Sequence, residues 1–231
     1  MGAMSHPSSP AEPPTRTTAR GRPAKLDPDR TVATALDLLD EAGLDALTMR
    51  RLAEAMGVQA GALYRYFATK QDLLTAMAER MLADRDTRAP GGADQGDWAE
   101  ELTGLARALR AALLRHRDGA RVFAGTHSTG GNTLGFAEAL IGALREAGFG
   151  ASDAARAMLA VVNFTLGHTL EEQAALGGEA PADPERLRLA VTESAFPHLA
   201  ASVPVIAGGD FEAHFEFGLR LLVNGLRTLD K

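Results

Sequence analysis

The stretch from residue 48 to residue 70 combines cationic and hydroxyl-bearing side chains with very small ones. An arginine can bind a guanine edge or a phosphate, and a tyrosine hydroxyl can reach a phosphate oxygen. Small side chains let a helix approach the base edges of a major groove. The candidate DNA-binding residues each carry a positive charge, a hydroxyl or a small side chain: Thr48, Arg50, Ala60, Gly61, Ala62, Tyr64, Arg65, Tyr66 and Lys70. We expect Arg50 and the small residues 60–62 to contact base edges, and the other residues to contact the DNA backbone.

A helix-turn-helix is the element that would position these side chains. Thr48 can cap a first helix, whose apolar face includes Leu52. Gly57 ends that helix, since glycine enters the left-handed conformation at low cost. The second helix is predicted over residues 59–67, with Leu63 and Phe67 on its inner side. The pattern therefore predicts a DNA-binding domain over residues 26–70, which we call the head.

A basic leader precedes this head. Residues 1–25 are rich in Pro, Ser, Thr and Ala, so we expect them to be disordered. Arg20 and Arg22 belong to an ArgGlyArgPro segment that resembles the core of an AT-hook, which places arginines in a narrow minor groove. The alternative is a solvated basic leader, and the sequence leaves both open.

Helical patterns continue through the rest of the chain, and the predicted fold class is all-α. Asp27 and Pro28 open a helix that ends at Gly43. We divide the chain into the arm (1–25), the helix-turn-helix domain (26–70) and a ligand-binding and dimerisation domain (71–231), whose first part (71–88) is a linking helix. Further helices are predicted at about 98–116, 120–126, 134–147, 152–176, 185–195 and 210–229.

Composition indicates a globular cytoplasmic protein. The 231 residues are 45% hydrophobic, the net charge is −6 and cysteine is absent. The acidic excess lies outside the first 70 residues, so DNA binding must use locally concentrated basic groups. No apolar run approaches the roughly 20 residues of a membrane span, and we expect no membrane partner.

The predicted helices at 152–176 and 210–229 have unusual apolar patterns. Apolar residues wrap most of the way round the first, which predicts burial on more than one side. In the second they form a stripe: Phe211, Phe215, Gly218, Leu222, Gly225 and Leu229. Pairing with symmetry mates would make a four-helix interface, so we predict a homodimer; an ordinary monomer core is the alternative.

The chain resembles the tetracycline-repressor (TetR) family over roughly residues 26–229. In the head the resemblance rests on LeuThrMetArgArgLeuAla, GlyVal and LeuTyrArgTyrPhe. In the second domain HisArgAspGlyAlaArgVal, PheThrLeuGly and PheGlyLeu are similar to the tetracycline repressor itself. The resemblance implies an all-helical homodimer that represses transcription at a palindromic double-stranded DNA operator. A small-molecule inducer would release the DNA by favouring the DNA-incompetent state.

The resemblance also implies a ligand pocket, but with altered residues. The histidine that holds the magnesium–tetracycline chelate falls on Phe123, which cannot ligate a metal. Two polar ligand contacts of the tetracycline repressor correspond to Leu105 and Leu109 here, and a further histidine of its pocket corresponds to a position near Asp86. Thr126 and Glu171 match residues of that pocket. The implied lining is completed by three other residues: Phe136, Phe164 and His168. We therefore expect a hydrophobic or aromatic inducer rather than a metal chelate, and we predict no cofactor and no metal-ligating residue. Whether a metal accompanies the ligand stays open at this point.

Two alternatives remain. One is a metal-dependent enzyme, because His168 and Glu171 have the spacing of a helical metal pair and Glu172 adds a carboxylate. No third ligand, nucleophile motif or phosphate-binding loop is recognisable, and we predict that the protein is not an enzyme. The other alternative is a ligand-independent DNA-binding regulator.

Overall fold

The computed structural model describes residues 26–83, 97–177, 183–192 and 195–229. All regular structure in these ranges is helical, as predicted. The helices, in chain order, are α1 Pro28–Ala42, α2 Met49–Ala55, α3 Ala60–Leu63, α4 Lys70–Ala83, α5 Trp98–Leu114, α6 Gly119–Ala124, α7 Gly131–Glu146, α8 Ala151–Gly177, α9 Pro184–Ala190, α10 Pro197–Ile206 and α11 Phe211–Arg227. None of the helices in these ranges combines the length and apolar character that crossing a membrane requires.

Local capping explains where the first helix begins and ends. The Asp27 carboxylate accepts a hydrogen bond from the Asp29 N–H, and Pro28 occupies the first turn. Val32, Leu36 and other apolar residues then face the core at helical spacing. Gly43 ends the helix at φ 80°, a conformation that L side chains rarely adopt.

The helix-turn-helix has the predicted order but a shorter second helix. Thr48 caps α2 by accepting from the Arg51 N–H, and Gly57 supplies the turn at φ 65°. The regular part of α3 spans only Ala60–Leu63 instead of 59–67. Hydrogen bonds from the N–H groups of both Tyr66 and Phe67 to the Leu63 carbonyl tighten the following turn, so the helix does not continue regularly.

Helix α4 joins the head to the second domain. It packs against α1 at the head and against α6 and α7 in the second domain. Leu73, Met77 and Met81 are fully or almost fully buried along it. In the second domain α8 packs against α5, α6, α7 and α11. Trp98 at the start of α5 contacts Phe149 edge to face.

Two predicted helix boundaries in the second domain were wrong, and one helix was missed. Helix α7 begins at Gly131 rather than at 134. Helix α9 ends at Ala190 rather than 195, and α10 was not predicted at all. The apolar residues of α10 show no amphipathic periodicity, and it contains Pro204, so the sequence gives no helical pattern there.

Helices α8 and α11 pack against each other within one chain. Beside the fully buried face of α8, Met158, Val162, Phe164 and Leu166 are half-buried against the core, so the predicted burial on more than one side is present within one chain. Leu159 on the outer side of the helix is 53% exposed. Within one chain the buried residues of α11 are Phe215, Leu219 and Val223, and of these only Phe215 belongs to the predicted stripe. Gly218 permits close approach to Phe164 of the same chain, because a Cβ there would overlap that ring.

Candidate functional site

The predicted DNA-reading residues form an exposed surface on α2, α3 and the turn after α3. Tyr64 and Tyr66 are about half exposed, and Arg65 is also exposed. The side chain of Arg50 is 87% exposed, and its Nε donates to Glu54 at 2.9 Å. This hydrogen bond raises the pKa of Arg50, so the guanidinium stays charged. Gly61 is exposed between half-buried Ala60 and Ala62.

Four other candidate DNA contacts differ from these exposed side chains: Thr48, Lys70, Arg20 and Arg22. The Thr48 hydroxyl is engaged in capping α2. The Lys70 ammonium is near the Leu44 carbonyl, at 3.4 Å, and so also links α4 to the head. Arg20 and Arg22 lie outside the described residues. The DNA-binding roles of all these side chains stay predictions.

A cavity of about 240 Å³ lies in the second domain between α6, α7 and α8. It brings together three of the predicted ligand-binding residues: Phe123, Thr126 and Phe136. The rest of its wall was not predicted: His127, Ser128, Thr133, Ala137, Met158 and Val162. The lining is mostly apolar, which suits a hydrophobic ligand.

The other predicted ligand-binding residues that the structure describes are not on the wall of this cavity. Leu109 is fully buried in the core, and Leu105 packs against it. Phe164 stacks on Phe215 with 5.6 Å between ring centroids. Glu171 is exposed. Asp86 lies outside the described residues, and all these ligand roles stay predictions.

His168 has partners inside the protein. Its Nε2 lies 2.9 Å from the Phe211 carbonyl, so the ring is oriented towards α11. Burial lowers the pKa of His168, although the Phe211 carbonyl and Glu172 act in the opposite direction. Its neighbouring carboxylate is that of Glu172, at 4.0 Å, while Glu171 faces solvent. His168 and Glu171, the metal pair of the alternative enzyme hypothesis, therefore have different surroundings.

An ion-pair network holds α5, α8 and α11 together. Arg110 binds Glu172 through two hydrogen bonds of 2.8 Å, with both side chains about nine-tenths buried. Arg110 also binds Glu212 and lies over the Phe215 ring. The hydrogen bonds from Arg110 to Glu172 raise the pKa of the arginine. One turn earlier, exposed Arg107 makes a similar pair with Glu216.

Glu79 on α4 binds the segment 125–133, which we call the rim of the cavity. Its carboxylate accepts from the Ser128 hydroxyl at 2.7 Å, the Asn132 N–H at 2.9 Å, and both the N–H and the hydroxyl of Thr133. Partial burial raises the pKa of Glu79, but these hydrogen bonds outweigh it and the net shift is downward. The carboxylate thus caps the N-terminus of α7. Sequence reasoning missed this residue, because its partners are about 50 positions away.

Gln71 makes a second connection between α4 and this rim. Its side-chain N–H donates to the Gly125 carbonyl at 2.6 Å. Gln71 and Glu79 lie two turns apart on α4, so the helix is attached to the segment 125–133 at both ends of that span. Movement of the cavity rim would therefore act directly on the helix that carries the head.

A polar seam, which we define as the contacts between residues 40–45 of the head and residues 116–121, also joins the domains. Asp40 faces the His116 ring and the Arg117 N–H at 2.9 and 2.8 Å. The Asp118 carboxylate accepts from the Leu44 N–H, and Arg121 pairs with Asp45. Most of these side chains are partly or largely exposed.

No metal centre is formed by the described residues. They contain no group of three or more His, Asp or Glu side chains placed to hold an ion. The fold and site instead define a class of protein: a helix-turn-helix transcriptional regulator, with a reading head joined by one helix to a cavity-bearing domain.

Comparison with known proteins identifies the family within that class. Residues 32–77 match the family model "Bacterial regulatory proteins, tetR family", and residues 90–229 match "Tetracyclin repressor-like, C-terminal domain". The chain belongs to the TetR family. It is therefore a ligand-responsive, DNA-binding repressor.

Individual relatives agree with this assignment. Tetracycline repressor protein class A of transposon 1721 from Escherichia coli is 44% identical over 87% of this chain and 91% of its own length. A possible TetR family transcriptional regulator from Streptomyces coelicolor A3(2) is 67% identical, with TM-score 0.82 over 88% of this chain and all of its own. A TetR variant from Acinetobacter baumannii in complex with minocycline is 38% identical, with TM-score 0.70 over 90% and 99% of the two chains.

Proposed function

We propose that the protein represses transcription as a homodimer on a palindromic operator and is released by a small hydrophobic or aromatic inducer. The observation that carries this proposal is the attachment of the cavity rim to α4 by Gln71 and Glu79. A ligand that moves the rim changes the position of the helix on which the head is mounted. Because its target is DNA, we place the protein in the cytoplasm.

The cavity supports an inducer different from a metal chelate. Phe123 and Phe136 give its wall an apolar character, and Thr126 adds a hydroxyl. A phenyl ring offers no electron pair suited to a magnesium ion. The relative from A. baumannii binds minocycline. The inducer of this chain is proposed to enter the second domain too, but without a metal.

Dimerisation would cover apolar side chains that one chain leaves exposed. Leu159 on α8 and Phe217 and Leu221 on α11 are each more than half exposed. Phe217 and Leu221 are four residues apart and so lie on one helical face. Two copies joined along these helices would present two heads, whose half-sites lie roughly 34 Å apart on the DNA.

The dimer surface can be tested by placing a charge on it. We expect Leu221→Asp to convert the dimer into a monomer, because the interface would bury an unpaired carboxylate. Sedimentation velocity measures the mass. Leu134→Asp is the matched control, since Leu134 is 55% exposed and lies on α7. A dimer that survives Leu221→Asp would contradict this interface.

DNA recognition can be tested by separating base from phosphate contacts. We expect Arg50→Ala to cost about 1–3 kcal/mol and to reduce discrimination between the operator and a scrambled duplex. Arg65→Ala should weaken binding to both duplexes and flatten the dependence on salt. Fluorescence anisotropy on the intergenic DNA beside the gene, at several salt concentrations, measures both. If Arg50→Ala leaves sequence preference intact, Arg50 does not read bases.

A further inference from the structure

The hydroxyl groups on the cavity wall already donate their hydrogens to acceptors within the protein. The Thr126 hydroxyl donates to the Phe123 carbonyl at 2.9 Å. The hydroxyls of Ser128 and Thr133 both donate to Glu79. Because a hydroxyl has one hydrogen, these three groups can offer a ligand only their lone pairs. The Ser128 oxygen also accepts from the Gly130 N–H, so even its acceptor capacity is partly used.

The charge next to the cavity is negative. The Glu79 carboxylate lies directly behind Ser128 and Thr133, and its lowered pKa keeps it ionised at neutral pH. The described residues of the wall include no lysine or arginine to balance it. His127 is the remaining polar side chain of the wall, and it is exposed to solvent. An anion in the cavity would lose its hydration and face a like charge.

We propose that the inducer is an apolar ring compound whose polar groups are hydrogen-bond donors, such as a phenol or an alcohol, and that carries no negative charge. The proposal rests on the proposed function of this cavity as the inducer site. The cavity of about 240 Å³ is slightly below the usual range of roughly 300–1,000 Å³ for ligand pockets. A molecule with a single ring or with two fused rings therefore fits the volume.

Three probes with the same naphthalene ring test this donor rule. 2-Naphthol has a donor, 2-methylnaphthalene has none, and 2-naphthoate is an anion at neutral pH. Isothermal titration calorimetry of the full-length dimer should give naphthol an affinity about 3–10-fold above methylnaphthalene and at least about 10-fold above naphthoate. Naphthoate binding as tightly as naphthol, or naphthol binding no better than methylnaphthalene, overturns the rule. Undetectable naphthol binding overturns it as well.

Two variants assign the preference to particular groups. Glu79→Gln removes the charge and should bring the affinities for naphthol and naphthoate closer together. Thr133→Val removes a hydrogen-bond acceptor from the cavity wall while keeping the shape of the side chain. It should therefore reduce the advantage of naphthol over methylnaphthalene. Circular dichroism monitors whether each variant folds, and Thr133→Val leaves Glu79 with its Ser128 and backbone partners. Unchanged ratios in folded variants overturn the rule.

A third variant separates this inference from the proposed function. Ala137→Phe fills the cavity and should abolish binding of all three probes. If the probes bind the filled variant as before, they occupy another place and the cavity is not the inducer site. If filling blocks them but their order in the unfilled protein is reversed, the cavity assignment stands and the donor rule fails.

Discussion

Replacing Arg110 by methionine should lower the free energy of unfolding by about 3–5 kcal/mol. The substitution leaves the nearly buried carboxylate of Glu172 without its bidentate partner. It also removes the contact of the guanidinium with the Phe215 ring. Urea denaturation followed by circular dichroism measures the change.

The adjacent pair on α5 supplies the control for this experiment. Arg107 binds Glu216 with the same geometry, but its side chain is 52% exposed. Arg107→Met should therefore cost less than about 1 kcal/mol. The double substitution of Arg110 and Glu172 by methionine should recover most of the stability, because the carboxylate that it leaves unpaired, that of Glu212, is 65% exposed. Equal losses for Arg107→Met and Arg110→Met would contradict the role of burial.

Leu63→Ala should unfold the head while leaving the second domain folded. Leu63 is fully buried at the end of α3, and its truncation creates a cavity that costs about 2–5 kcal/mol. The head has a small core, so this loss is a large part of its stability. We expect operator binding to disappear and amide exchange to accelerate in residues 28–67, while the second domain keeps its protection.

Tyr64→Ala is the matched control for Leu63→Ala. Tyr64 follows Leu63 directly but is 50% exposed. Its loss should weaken DNA binding without accelerating amide exchange in the head. If Leu63→Ala left operator binding unchanged, α3 would not depend on the core contact that the structure gives it.

The head was largely predictable because its signals are local. The caps Asp27 and Thr48 and the glycines Gly43 and Gly57 lie next to the boundaries that they set. The regular part of α3 was overestimated, since a continuous pattern does not reveal a tightened turn. Family membership was also recognisable from short motifs in both domains.

The cavity was only partly predictable because its organisation depends on distant contacts. Phe123, Thr126 and Phe136 followed from the resemblance, whereas Met158 and Val162 on α8 did not. Glu79 has no local motif that distinguishes it from other acids on a helix surface. Its importance arises only when folding brings α4 against the start of α7.

The polar seam sets an energy scale for switching. Exposed ion pairs contribute only about 0–1 kcal/mol each, whereas coupling between two sites is typically about 1–3 kcal/mol. Each contact of the seam is thus weak enough for one bound molecule to outweigh. The attachment of the head is stronger, because α1 and α4 share buried apolar residues such as Leu39 and Leu73. A rise in ionic strength weakens the first kind of contact far more than the second, so salt alone would loosen the orientation of the head without detaching it.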